Sequence, residues 1–248
     1  MKDVKDYQRP AALADFIAQV GVDPSTGLSR DDAMARRALY GANRVTPPVN
    51  CPSWVCCLLP CLLRTSSMQA YHAVLPKEAT VRRKVAASGK GATTRRMRMD
   101  AMSLVYGDVV ELQPGDLVSA DMRVIECSSD CLVDQSALAG NEDHDDDMEE
   151  GERSCVRKHV SPVDAALEDG DNDPLTSRNI LLMASRVVRG SAVAVVIATG
   201  DRTFWGQLVA HHEWSVPAST FKRTGQHEEH RRLVKHSATK SKSAEIIV

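Results

Sequence analysis

The feature that most constrains this chain is its punctuation between Ala79 and Ala198. Short apolar runs alternate there with Gly- and Pro-centred turns. Val109 to Leu112 and Ala192 to Ala198 are apolar runs, and Met122, Val124 and Glu126 alternate with Arg123, Ile125 and Cys127 at a period of two. Between them lie Gly107-Asp108, Pro114-Gly115-Asp116, Arg189-Gly190-Ser191 and Gly200-Asp201. Short strands with regular turns predict a mainly β fold, a sandwich or distorted barrel. With 43% hydrophobic residues but only 4% aromatics, its core must rest on Val, Leu, Ile, Ala and Met.

Helical patterns flank this region. Leu13, Phe16, Ile17 and Val20 have helical spacing within Pro10 to Val20. Asp23 to Gly27 is a turn by composition. Ser29 then reads as an N-cap, with Asp31 and Asp32 in the first turn of a second helix that runs to about Tyr40 and stops at Gly41. A last helix is predicted from Thr203 to Ala210. Thus two short N-terminal helices and one C-terminal helix accompany the strands.

A net charge of −2 gives no overall basic surplus for nucleic acid. Seven cysteines and a polar start, Met1 to Asp6, fit reduced thiols facing the cytosol rather than a secretory leader. Val45 to Leu63 is free of charge but broken by Pro47, Pro48, Pro52 and Pro60. Its compact apolar part, Trp54 to Leu63, is shorter than the roughly 20 residues a spanning helix needs. Residues 142 to 152 hold eight acidic side chains and no basic one, a self-repelling block expected to be a disordered loop. Beyond His211 the chain is rich in His, Lys and Arg and reads as extended.

Several blocks, in order, resemble the type II P-type cation-transporting ATPases, with wording nearest the sodium/potassium-type branch. Gly27 to Ala33 and Tyr40 to Asn43 resemble that family's N-terminal cytoplasmic segment. Thr46-Pro47-Pro48 and Pro52-Ser53-Trp54 resemble the approach to its first membrane helix. Leu75 to Arg82 resembles the first strand of the actuator domain. Tyr106 to Leu112, Pro114-Gly115-Asp116 and Ala120 to Arg123 resemble its central signature, and Asp134 to Leu138 leads into its catalytic loop. Pro174 to Ile180 and Val196 to Thr203 close it. The resemblance implies an actuator-type distorted β jelly roll that couples phosphorylation to the ion pathway as a conformational relay.

The departures bear on function. The family's catalytic loop reads Thr-Gly-Glu-Ser, and its glutamate positions the water that hydrolyses an aspartyl phosphate. The aligned residues here are Ala139, Gly140, Asn141 and Glu142. Asn141 has no carboxylate to accept a proton, Gly140 keeps the turn, and Glu142 substitutes only if the loop shifts register. No Asp-Lys-Thr-Gly-Thr motif is present. Ser88-Gly89-Lys90-Gly91 lacks the earlier glycine of a phosphate loop and reads as a hairpin turn. The resemblance implies ATP and magnesium for the family but no cofactor site in this chain. Asp169, Asp171 and Asp173 open like a calcium loop, but Pro174 and Ile180 stand where Gly and Glu are required.

Residues 49–67 read as an apolar stump from which a membrane hairpin is deleted. There Cys56, Cys57 and Cys61 are incidental thiols, acylation sites giving a membrane anchor, or less readily a metal site. The expected organisation is an N-terminal cation-ATPase segment over 1–48, the stump, an actuator domain over 68–210 with an acidic insertion at 142–173, and a basic tail over 211–248. Three roles follow: a truncated or degenerate pump not competent for ATP hydrolysis alone, a non-enzymatic module docking on a full-length P-type ATPase, or a peripheral membrane protein. Expected partners are a pump or its missing parts and the membrane, with no nucleic acid. The expected location is the cytosolic face of a membrane, or the cytoplasm if the chain is free-standing.

Overall fold

A computed structural model describes residues 13–48, 66–85, 93–138, 155–160 and 174–214. Two N-terminal helices, α1 (Leu13–Val20) and α2 (Arg30–Tyr40), are followed by α3 (Ser66–Val74). The strands are β1 (Glu78–Val85), β2 (Thr93–Asp100), β3 (Val109–Leu112), β4 (Asp121–Cys127), β5 (Leu132–Asp134), β6 (Cys155–Arg157), β7 (Ile180–Leu181), β8 (Arg186–Arg189) and β9 (Ala192–Ala198). Helix α4 (Phe204–Ala210) ends the described fold. The mainly β expectation holds, as do the two N-terminal helices and the C-terminal one. Ser29 caps α2 by accepting a hydrogen bond from the Asp32 amide, and Gly41 ends it at φ 83°.

Among the described residues, every pairing between these strands is antiparallel. Six strands form one sheet in the order β2-β1-β3-β9-β4-β7, and three form a second in the order β6-β5-β8. Val85 pairs with Thr93, so residues 86–92 join neighbouring antiparallel strands, as the hairpin reading of Ser88 to Gly91 requires. Those residues themselves lie outside the described ones.

The large sheet separates two cores. Val110, Met122, Val124, Ala194 and Val196 pack with Val133 and Val187 of the small sheet. Val109, Ile125, Ile180, Val195 and Ile197 pack on the other side with Phe16, Val20, Tyr71 and Trp205 from the helices. The period-two pattern of β4 therefore sorts residues between two cores rather than between core and water. Arg123 is the consequence: it is 1% exposed, and its guanidinium lies 4.8 Å from the Phe16 ring centroid.

The N-terminal segment is built into this body. Arg36 donates to the Tyr106, Val20 and Gly21 carbonyls. Asn43 is buried, and its side chain donates to the Ala101 and Ser119 carbonyls while accepting from the Gly200 amide. Thr46 donates to Asp201 from its amide (2.6 Å) and its hydroxyl (2.8 Å). Gly27, at φ 70°, lies so close to β1 that an added Cβ would sit 1.9 Å from the Arg82 carbonyl oxygen. Among the described residues no helix is long and apolar enough to cross a membrane.

Candidate functional site

The candidate site begins where β5 ends. Asp134 Oδ1 accepts from the Ser136 amide at 2.9 Å, and the Leu138 amide donates to the Gln135 carbonyl at 2.8 Å, which folds residues 134–138 into a tight turn. Leu138 is buried in the helical core, and the Trp214 indole N–H donates to the Ala137 carbonyl at 2.9 Å. Gln135 is 3% exposed, yet neither atom of its side-chain amide has a hydrogen-bond partner among the described residues. Described structure stops at Leu138 and resumes at Cys155, which pairs with Asp134. Asp134 and Cys155, on either side of segment 139–154, thus pair at one end of the β5–β6 ladder. Gly140, Asn141 and Glu142 fall within that segment and lie outside the described residues, as do Cys56, Cys57 and Cys61.

Just after β6, Lys158 is buried. Its amide donates to the Cys131 carbonyl at 2.9 Å and its Nζ to the Ser177 carbonyl at 2.8 Å. Burial pulls the ammonium down to about 7 and pushes the Cys131 thiol up to about 11. A thiol so disfavoured as thiolate is a packing residue rather than a nucleophile. Among the described residues, no cluster of three or more His, Cys, Asp or Glu is arranged to hold a metal ion.

Asp121 links the chain beyond β7 to the start of α4. It is fully buried, with Oδ1 accepting from the Met183 amide at 2.7 Å and Oδ2 from the Phe204 amide at 2.6 Å. Burial pushes its carboxyl up to about 7, against the pull of those two N–H groups. Asp108 fixes the Gly107-Asp108 turn instead, accepting from the Val105 amide and from Arg83 at 2.9 and 2.6 Å. Glu111 is shared by Arg82, at 2.8 Å, and Arg96. Asp108 and Glu111 of the central signature thus serve as ties to β1.

A family model for the P-type ATPase actuator domain matches residues 74–213. The chain belongs to that family. A second model, for the cation transporter/ATPase N-terminus, matches residues 11–60. Sodium/potassium-transporting ATPase subunit alpha-3 of Gallus gallus is 33% identical over 141 residues, covering 57% of this chain and 11% of its own. Subunit alpha-2 of Homo sapiens is 32% identical over the same shares. Subunit alpha-4 of Rattus norvegicus is 24% identical over 265 residues, which take in 84% of this chain and 23% of that one. The chain thus spans less than a quarter of the length of these relatives. Sequence reasoning singled out the loop that follows Leu138, and the described residues include the turn 134–138 that leads into it. It missed the Trp214 anchor, because His211 to Trp214 looks by composition like the start of the basic tail.

Proposed function

We propose that this chain serves a P-type cation pump as its actuator element, on the cytosolic face of a membrane, and does not hydrolyse ATP by itself. The observation that carries the reading is the union of the two matched segments into one body. Arg36, Asn43 and Thr46 bind the N-terminal segment to the β domain at several separate points, as a domain that turns as a unit requires. Nothing in the 248 residues reads Asp-Lys-Thr-Gly-Thr, so the aspartyl phosphate must come from another polypeptide or another part of the same pump.

The alignment with the rat alpha-4 subunit supports the deleted hairpin. Since 84% of 248 residues is about 208, some 57 of the 265 aligned positions are gaps in this chain. Two spanning helices need roughly 40 residues, so they fit within those gaps.

The sequence of segment 139–154 also offers a second assignment for the loop glutamate. Segment 139–154 carries two glycine-centred tetrads, Ala139-Gly140-Asn141-Glu142 beside Leu138 and Glu150-Gly151-Glu152-Arg153 beside β6. Only in the second does Glu directly follow Gly. We assign the water-positioning role to Glu152 and treat Asn141 as silent, with the acidic residues between the tetrads lengthening the connection. The test is a sodium/potassium-transporting ATPase alpha subunit carrying residues 74–213 of this chain in place of its own actuator domain. Glu152→Gln should slow phosphoenzyme decay by about 100-fold, and Glu142→Gln should leave it unchanged. The opposite ranking returns the role to Glu142, and no effect from either removes it from this chain.

A further inference from the structure

The residues after α4 turn back on the domain in a way that their composition does not require. The Glu213 amide donates to the Leu208 carbonyl at 2.9 Å and the His212 amide to the Val209 carbonyl at 3.2 Å, the paired bonds of a Schellman turn. The left-handed position of that turn is filled by His212, at φ 60°. A residue with a Cβ is disfavoured there, and the turn sets the course of the chain that follows, with the Trp214 amide also donating to the Leu208 carbonyl at 3.1 Å. What it positions is Trp214.

The Trp214 ring meets Trp205 edge-on, with centroids 5.5 Å apart and planes at 89°. Trp205 stacks on Tyr71, at 5.3 Å and 22°. The Tyr71 hydroxyl donates to the Val45 carbonyl at 2.6 Å. The line therefore reaches the segment that precedes residue 49, the helix that follows residue 65 and the exit beyond α4. Its far end is the indole hydrogen bond to Ala137, one residue before the last described residue of the candidate site.

We propose that Trp214 is a positioning residue for the turn 134–138: its indole N–H fixes that turn, and the His212 turn and the Tyr71–Trp205–Trp214 line make it sensitive to the chain segments entering and leaving the domain. This rests on the actuator reading and adds its regulation. In a pump, those same segments would lead to the membrane helices, so displacement of the exit would loosen the loop root directly.

The test is amide hydrogen exchange on the full chain, read at Ser136 and Leu138 against Val195 and Val196 in β9. Trp214→Phe keeps a ring but removes the donor, and should speed exchange at Ser136 and Leu138 roughly fivefold while β9 stays unchanged. His212→Pro cannot adopt a positive φ. It should produce the same local loss although Trp214 itself is intact, which a purely local role for the indole would not predict. His212→Gly should keep the protection. Unchanged exchange at Ser136 and Leu138 in His212→Pro, or equal acceleration in β9, overturns the proposal. Neither transport nor ATP enters these readouts, so failure here leaves the pump reading intact, and failure of that reading leaves this result standing.

Discussion

At the scale of single residues, the fold depends on buried polar side chains with fixed partners. Asn43 uses both donors and its acceptor on three separate backbone groups, which apolar replacement would leave unsatisfied. Asn43→Ala should cost about 2–4 kcal/mol in urea unfolding. Asn43→Asp should cost more, since a carboxylate would face two carbonyls. Asp121 gives a pH signature. Its folded pKa, about 7, lies above the ordinary 3.8, so its contribution is fully present below pH 3.8 and is lost as pH rises through 7. Unfolding free energy should therefore fall between about pH 4 and 7 in the native chain. Asp121→Asn should abolish that fall while lowering stability at pH 5, because one amide group must then point its N–H toward a backbone N–H. The role of Asn43 is invisible in sequence: an Asn after Tyr40-Gly41-Ala42 reads as a turn residue, and its three partners lie 58 to 157 positions away.

At the scale of elements, short runs and turns gave away β3, β9 and α2, whose caps are local chemistry. Strand β4 was legible as a strand but not in its surroundings, because a two-core sheet gives the same alternation as a half-exposed one. Helix α3 escaped for a different reason: Ser66 to Val74 mixes Gln and His with apolar residues and abuts the stump, so its pattern has no clean start. The contact between the N-terminal loop and β1 is the element-level joint most open to attack. The Lys84 amide donates to the Leu28 carbonyl at 2.9 Å, beside the close approach of Gly27 to Arg82. Gly27→Ala should lower stability by about 2–3 kcal/mol, from the positive φ and the clash together. The denaturant slope should stay unchanged, since the unfolded chain exposes the same surface.

At the scale of the whole molecule, helices and sheets share a core. Phe16, Val20, Val22, Leu28 and Val45 from the N-terminal segment pack with Val109, Ile180, Val195 and Trp205 of the β domain. Removing residues 1–48 should expose that face, and the remainder should bind a hydrophobic dye and unfold at lower urea than the full chain. A truncated form with unchanged midpoint would mean that the segment is an appendage. The family and the mainly β architecture were legible because ordered motif blocks survive 32–33% identity. What was not legible is the geometry of long-range ties, which no local pattern encodes.

We propose that this chain acts within a pump whose phosphorylated aspartate lies outside these 248 residues. The most direct measurement isolates the native product from membranes with an antibody to residues 104–138, exposes it to labelled ATP, and separates acid-stable phosphoenzyme by size. Label is expected on a polypeptide larger than 27.1 kDa that carries the epitope or co-purifies with it. Label on a 27.1 kDa product, or none in any polypeptide of the preparation, would contradict it.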